Sequence, residues 1–359
     1  MNIFTSMAEH DYEQLHFSQD GKTGLRAIIA IHDTTLGPAL GGTRMWPYDG
    51  EREAVTDVLR LARGMTYKAA VAGLPLGGGK GVIIGDPAWD KSDGMLKSYG
   101  KFIDSLGGRY ITAEDVGTSQ RDMDIIRLET THVTGYDPGQ GGNGDPSPFT
   151  ARGVYYGIKA AVKKFMGTES LKGLQVAVQG TGSVGLNLCR LLDREGALLR
   201  VTDINAGALQ RTAGELGAVP VSPGEIYDLD CDIFAPCALG AVINDHTVSR
   251  LKCGIVAGAA NNVLAEERHG EELHRRGIKY MPDYVINACG LINVAGEYLQ
   301  YQGSDVEKKI AQIYDTALEV IAISEREGVP AYRAADMLAE ARLGRTGPVP
   351  SPRGVQKVG

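Results

Sequence analysis

Two lysines and an acidic pair in the first third of the chain have the types and settings that acid–base chemistry needs. Lys80 follows three glycines, Gly77-Gly78-Gly79. Lys68 closes Gly64-Met65-Thr66-Tyr67-Lys68, on a predicted helical stripe beside Met65. Glu114-Asp115 ends a predicted strand, and Gly41-Gly42 precedes Arg44. Glycines before a lysine let backbone crowd a ligand and let the amine point inward. A lysine so placed, near a second cation, should have a lowered pKa and act as a base near neutral pH. Spacing alone fits a surface helix lysine for Lys68, and a solvated loop for Lys80, equally well.

A second chemical signal lies in the other half. Gly180-Thr181-Gly182-Ser183-Val184-Gly185 is a complete GxGxxG. In a chain with 48 glycines the pattern alone is weak, but its context is specific. Leu174 to Gln179 runs into it as a buried strand. Val184, Leu188, Leu191 and Leu192 follow at helical spacing. Leu198 to Thr202 is a further strand, and it ends on Asp203. This is the dinucleotide-binding βαβ fingerprint. Gly180 allows the tight turn, Gly182 lets backbone approach a pyrophosphate, and Gly185 lets helix and strand pack closely. The helix N-terminus presents unpaired N–H groups to phosphate. Asp203 would accept ribose hydroxyls and repel a 2′-phosphate, so NAD is expected over NADP.

The elements that must position these residues can be read from periodicity. Ala27 to Ile31, Val82 to Ile84 and Tyr110 to Ala113 read as strands. Glu51 to Ala72 reads as a helix with Val55, Leu59, Ala62, Met65 and Ala69 on one stripe. Ser92 to Leu106 is helical. Thr134 to Pro148 is rich in Gly, Pro and Asp and reads as a domain linker. Thr150 to Lys164 is helical. Later strands are Cys231 to Ala235, Gly254 to Ala257 and Lys279 to Met281. Strand–helix alternation predicts an open parallel sheet, with ligands beyond the carboxyl ends of its strands. Asp305 to Arg342 reads as amphipathic helix, and Gly344 to Gly359 as a frayed end.

Composition bounds the function class. The 359 residues exceed one typical core, so an α/β chain of two domains is expected. A net charge of -7 gives no general nucleic-acid surface. No apolar run approaches a membrane span, and Met1 to Asp20 carries no signal-peptide core. Five cysteines without a CxxC pair favour a reducing, cytoplasmic compartment. The seven histidines form no HxxxH pair, and no metal site is expected.

Six stretches then carry a resemblance. They are HDTTLGPALGGTRMW (His32 to Trp46), RGMTYKAAVAGLPLGGGKGVIIGDP (Arg63 to Pro87), GRYITAEDVGT (Gly108 to Thr118), CDIFAPCALG (Cys231 to Gly240), AGAANN (Ala257 to Asn262) and PDYVINACGLINVA (Pro282 to Ala295). In this order the chain resembles the amino-acid dehydrogenases that act on glutamate, leucine, phenylalanine and valine, from about Asp11 to Arg342. The resemblance implies NAD-dependent oxidative deamination. It implies a catalytic domain over 1–146, completed by a C-terminal helix over 326–345, and a Rossmann NAD domain over 147–325, with a cleft between them. It implies that Lys68 pairs with the substrate α-carboxylate, with Gly42 close by. Lys80 would activate the attacking water, and Asp115 would shuttle protons with it. Asn262 would lie near nicotinamide and substrate, Thr150 would hold the carboxamide, and Ala238 would line the cofactor site. A homo-oligomer, an octamer in related enzymes, is also implied.

The specificity positions that the resemblance assigns are Leu40, Ala113, Leu291 and Val294. All are apolar, so branched aliphatic amino acids are expected, with an aromatic amino acid as the alternative. Three positions depart from the leucine-acting members: Gly79, where alanine is usual, Leu291, where valine is frequent, and Cys289, where glycine is usual. An NAD-binding regulator without activity is the competing reading, opposed by the joint presence of Lys68, Lys80 and Asp115. A 2-hydroxy-acid dehydrogenase would want a His/Asp pair beside the cofactor, and no convincing one is found.

Overall fold

The computed structural model describes residues 2–238 and 240–344. The expected frayed end beyond Gly344, and the last residue of the expected 326–345 helix, lie outside them. Two sheets organise the chain. The first holds β1 (Gln14–Asp20), β2 (Leu25–Asp33), β3 (Ala39–Trp46), β4 (Gly77–Ile84) and β5 (Tyr110–Glu114), in the order β1-β2-β4-β3-β5. β2 is antiparallel to β1 and β4, whereas β3 is parallel to β4 and β5. Its helices are α1 (Ile3–Ala8), α2 (Glu51–Val71), α3 (Asp93–Asp104) and α4 (Gln120–Arg127).

α2 is where the two predicted lysine settings meet. Its first half buries Ala54, Val55, Val58, Leu59 and Ala62 against Ile28, Ala30 and Val82 of the sheet. Its second half carries Met65, Ala69 and Ala72 toward a different cluster with Leu40, Leu291 and Ile292. Lys68 is therefore delivered past the edge of the sheet core. The glycines before Lys80 are not in a loop. They form the first half of β4, which is buried throughout. A Cβ at Gly78 would collide with the backbone nitrogen of Thr66 on α2. Bare backbone at this point lets the helix press directly on the strand.

The second sheet holds β6 (Gln175–Gln179), β7 (Leu198–Thr202), β8 (Val219–Pro220), β9 (Ile233–Pro236), β10 (Ile255–Val256) and β11 (Lys279–Tyr280). Its order is β11-β10-β9-β6-β7-β8, and every pairing is parallel. The order reverses between β6 and β9, the position where doubly wound sheets bind ligands. α5 (Ser147–Met166), α6 (Ser183–Arg194), α7 (Ala206–Leu216), α8 (Glu267–Arg275), α9 (Asp283–Ile286) and α10 (Cys289–Tyr298) complete this half. The predicted alternation is thus a parallel α/β sheet of Rossmann type.

The segment read as a linker is held rather than free. Both carboxylate oxygens of Glu297 on α10 accept from the Gly135 N–H, at 3.1 and 3.2 Å, and one also accepts from the Asn143 N–H at 3.0 Å. α5 begins inside that segment, at Ser147. The single helix read over Asp305 to Arg342 is two helices, α11 (Gly303–Glu327) and α12 (Ala331–Arg342). Gly328 ends α11 in the left-handed region at φ 64°, and Pro330 precedes α12. α12 packs on α2. Arg342 donates to the last carbonyls of α2, Ala70 at 3.3 Å and Val71 at 2.5 Å, and Tyr67 donates to Glu340. A cation at a helix C-terminus satisfies orphan carbonyls and opposes the dipole. Among the described residues no helix is long and apolar enough to cross a membrane.

Candidate functional site

Lys80 and Asp115 reach each other from neighbouring parts of one sheet. Lys80 lies on β4 and is 5% exposed. Its Nζ stands 2.7 Å from Asp115 Oδ2, just beyond the end of β5. The same oxygen accepts from Arg44 Nε at 3.2 Å. Burial alone would push the Asp115 carboxyl up, but Lys80 and Arg44 outweigh it and hold it below its ordinary value. Asp115 is therefore a carboxylate in contact with a buried amine, the geometry a proton relay requires.

Lys68 faces the same group from α2. Desolvation lowers its pKa to about 8, with Asp283 opposing and Lys80 assisting. For Lys68 the expected cation near a cation is thus present, adding to the larger effect of burial. The residue missed from sequence is Asp283. It is buried at the start of α9 and accepts from the Val263 N–H at 2.9 Å and the Tyr284 N–H at 2.8 Å. Burial raises its pKa against those bonds and against Lys68. Its carboxylate holds the Val263 N–H and acts on the Lys68 amine through space. Only its place two residues after Met281, at a strand end, could have flagged it.

The apolar positions divide. Leu40 and Leu291 are buried in one cluster with Ala69, Ala72 and Ile292. Ala113 on β5 is buried beside Gly42, its register partner on β3. A Cβ at Gly42 would run into the Glu114 carbonyl and Asp115. Val294 on α10 is half-buried and stands outside the cluster. Gly79 does not border it. A Cβ there would meet Tyr110 Cδ2 at 2.9 Å and Ala39 Cβ at 3.1 Å, on the side of the sheet away from Leu291. Its lack of a side chain makes room for the Tyr110 ring, on the face away from the Leu40–Leu291 cluster. Cys289 fills space against Gly153, and burial pushes its thiol up to about 12.

The glycine turn has the shape its sequence predicts. Gly180 sits at φ 97°, a conformation that side chains rarely adopt. Gly182 caps α6, and a Cβ there would meet nothing within 4 Å. A Cβ at Gly185 would collide with the Gly180 carbonyl. Ser183 and Val184 open the helix, with Thr181 buried beneath. Asp203 accepts from the Thr181 N–H at 2.6 Å and the Asn205 N–H at 2.7 Å. Burial would raise its pKa, and these bonds outweigh it, so the carboxylate stays ionised with lone pairs to spare. Ala238 is exposed over Gly180. Thr150 packs beside Gly290 at the start of α10, its hydroxyl donating to the Pro146 carbonyl at 3.1 Å. Asn262 is exposed at φ 52°. An open glycine turn, a helix N-terminus and an ionised acid together fit a dinucleotide.

Comparison with known proteins agrees with this geometry. Residues 12–132 match the family described as Glu/Leu/Phe/Val dehydrogenase, dimerisation domain. Residues 141–215 and 197–345 match Glutamate/Leucine/Phenylalanine/Valine dehydrogenase. The chain is 59% identical to the leucine dehydrogenase of Bacillus subtilis (strain 168), over 96% of this chain and 95% of that protein. It is 48% identical to the L-tryptophan dehydrogenase of Nostoc punctiforme (strain ATCC 29133 / PCC 73102), over 96% of each. The crystal structure of L-tryptophan dehydrogenase from Nostoc punctiforme superposes with a TM-score of 0.85 at 47% identity, covering 95% of this chain and 98% of that one.

Proposed function

Because the chain belongs to the glutamate/leucine/phenylalanine/valine dehydrogenase family, we propose that it is an NAD-dependent dehydrogenase of branched aliphatic L-amino acids. The reaction takes an L-amino acid, NAD and water to a 2-oxo acid, ammonium and NADH. The observation that carries this reading is the Lys68, Lys80 and Asp115 set beside an apolar cluster of Leu40 and Leu291, which gives the substrate side chain no ionic partner. The catalytic domain is taken as 1–146 with the C-terminal helix, and the NAD domain as 147–325. The match of residues 12–132 to a domain described as a dimerisation domain supports a homo-oligomer.

The glycine turn from Gly180 to Gly185 and the N-terminus of α6 would hold the pyrophosphate, with Asp203 on the ribose. Thr150, Ala238 and Asn262 would line the nicotinamide end. When bound, NAD accepts the hydride released from the substrate Cα. The chain's own residues do the rest. Lys68, as an ammonium, pairs with the α-carboxylate and fixes the substrate. Lys80, as an amine, takes a proton from the water that attacks the iminium carbon. Asp115 exchanges that proton with Lys80 and delivers one to the nitrogen; as the C–N bond breaks and ammonia leaves, the carbinol hydroxyl gives its proton to the regenerated Lys80 amine and the 2-oxo carbonyl forms. Formation of NADH with L-leucine, and none with 2-hydroxy-4-methylpentanoate, tests the reading.

Lys68 sets a pH dependence. With a free-enzyme pKa of about 8 it is a cation below that pH and loses its charge above it. Binding of 4-methyl-2-oxopentanoate, whose only charge is its carboxylate, should be flat below pH 8. Above it, Kd should rise toward about tenfold per pH unit. In Lys68→Arg the side chain stays charged, and the rise should vanish. A wild-type Kd that is constant to pH 9.5, measured calorimetrically in about the same buffer series, would remove Lys68 from carboxylate binding.

Asp203 sets the cofactor preference. Two unit charges about 4 Å apart repel by roughly 4 kcal/mol at an effective dielectric of about 20, an upper figure for a half-buried site open to water. Asp203→Ala should narrow the NAD/NADP ratio of kcat/KM by about tenfold or more. Equal wild-type activity with both cofactors would count against this assignment.

A further inference from the structure

Asp115 is gripped twice, and only one grip belongs to the proposed chemistry. Its Oδ2 meets Lys80 Nζ at 2.7 Å and Arg44 Nε at 3.2 Å. Arg44 is itself anchored: its Nη1 donates to Asp57 Oδ2 at 2.9 Å. Tyr48 donates to that same oxygen at 2.8 Å, and Arg60 donates to Asp57 Oδ1 at 3.0 Å. The side chains of Arg44 and Asp57 are 22% and 15% exposed, so this is a partly desolvated chain and not a surface pair. The backbone of Asp115 is fixed separately, its N–H donating to Thr118 Oγ1 at 2.9 Å. Nothing in the relay proposed above uses Arg44.

We propose that Arg44 is a positioning residue for the Asp115 relay, holding one carboxylate oxygen in place through the whole proton cycle of Lys80. The inference rests on Asp115 being that relay. Lys80 must alternate between ammonium and amine. Each time it becomes an amine, Asp115 loses its nearest cation and its best donor. A guanidinium does not lose its proton at accessible pH, so Arg44 supplies the charge that Lys80 gives up. Its planar fork also spans two acids at once, Nε to Asp115 and Nη1 to Asp57. The anchor on α2 thereby fixes the relay at the end of β5. A lysine at this position could supply the charge but not span both acids.

Removing Arg44 should act on the relay and not on substrate affinity. Lys68 and Glu114 also face Asp115, as do Tyr48 and the buried Tyr110, and Asp57 shares Arg44 with it. Of the two cations besides Lys80, Arg44 alone touches the carboxylate. Its loss removes one cation from beside the coupled Lys80–Asp115 pair, so the pair should hold its proton to higher pH, moving the acid limb of kcat/KM upward by about one pH unit.

The experiment is steady-state deamination of L-leucine with NAD across pH, on the full chain, for wild type, Arg44→Ala, Arg44→Lys, Asp57→Asn and Asp115→Asn, with thermal melting of each. Arg44→Ala should lose up to about a hundredfold in kcat, with KM for leucine within about threefold and the acid limb shifted up. Arg44→Lys should return the acid limb to its wild-type position while recovering only part of kcat. Asp57→Asn should keep the limb and lower kcat. A folded Arg44→Ala with wild-type kcat and pH profile overturns the inference. If Arg44→Ala fails to fold, Asp57→Asn decides, and an unchanged kcat there overturns it. Full activity in Asp115→Asn would instead sink the relay itself, which is how failure of the two readings is told apart.

Discussion

Lys80→Ala should abolish nearly all turnover while leaving L-leucine binding close to normal. Lys80 is 5% exposed and its amine stands 2.7 Å from Asp115, so no bulk-water base can take its place. Loss of a positioned general base costs about a hundredfold to ten-thousandfold in kcat, and the upper part of that range is expected in a buried site. KM should move little, because Lys80 works on the attacking water and not on the carboxylate. Lys68→Ala should behave differently. It removes a cation that pairs with substrate in both ground and transition states, so KM should rise sharply as kcat falls. The two profiles separate base from anchor. Near-normal turnover in Lys80→Ala would reject the assignment, and so would matching kinetics in the two variants.

How far this site could be read from sequence depends on what makes each part. The glycine turn was legible because local geometry dictates it: Gly180 and Gly185 are required by the chain's own backbone. The stripe on α2 was legible for the same reason, its burial following the helical period. β4 was half-read. A run of Gly77-Gly78-Gly79 has no strand propensity, and it is a strand because Thr66 on α2 and Tyr110 press on it from elsewhere. β3, with Gly41-Gly42 in its middle, was missed on the same grounds. The break at Gly328 was visible as a glycine near Pro330 but was overridden by continuous amphipathicity. Asp283 and Arg44 lie deeper still. Their meaning comes from partners distant in sequence, Val263 and Lys68 for one, Asp57 and Asp115 for the other. No local pattern carries that information.

Glutamate should be the worst substrate tested, and leucine, isoleucine and valine should be accepted with shallow differences. Leu40 and Leu291 are 1% and 8% exposed and share one cluster, with Ala113 buried beside Gly42. A γ-carboxylate placed there has no cation of its own, and leaving it unpaired costs several kcal/mol, on the order of a thousandfold in kcat/KM. A methylene in an apolar pocket is worth only about 1–3 kcal/mol, which bounds discrimination among the aliphatics. Phenylalanine is the runner-up, held off by the length of Leu291. Leu291→Ala should therefore raise its activity relative to leucine. Gly79→Ala gives the control that sequence alone could not supply. It should lower the melting temperature, since Tyr110 must yield, and leave the leucine-to-phenylalanine ratio unchanged, because position 79 points away from the Leu40–Leu291 cluster. The deciding measurement is kcat/KM for leucine, valine, phenylalanine, tryptophan and glutamate in wild type and both variants. An aromatic substrate about tenfold better than leucine would mean that the half-buried Val294 face, and not the Leu291 cluster, receives the side chain.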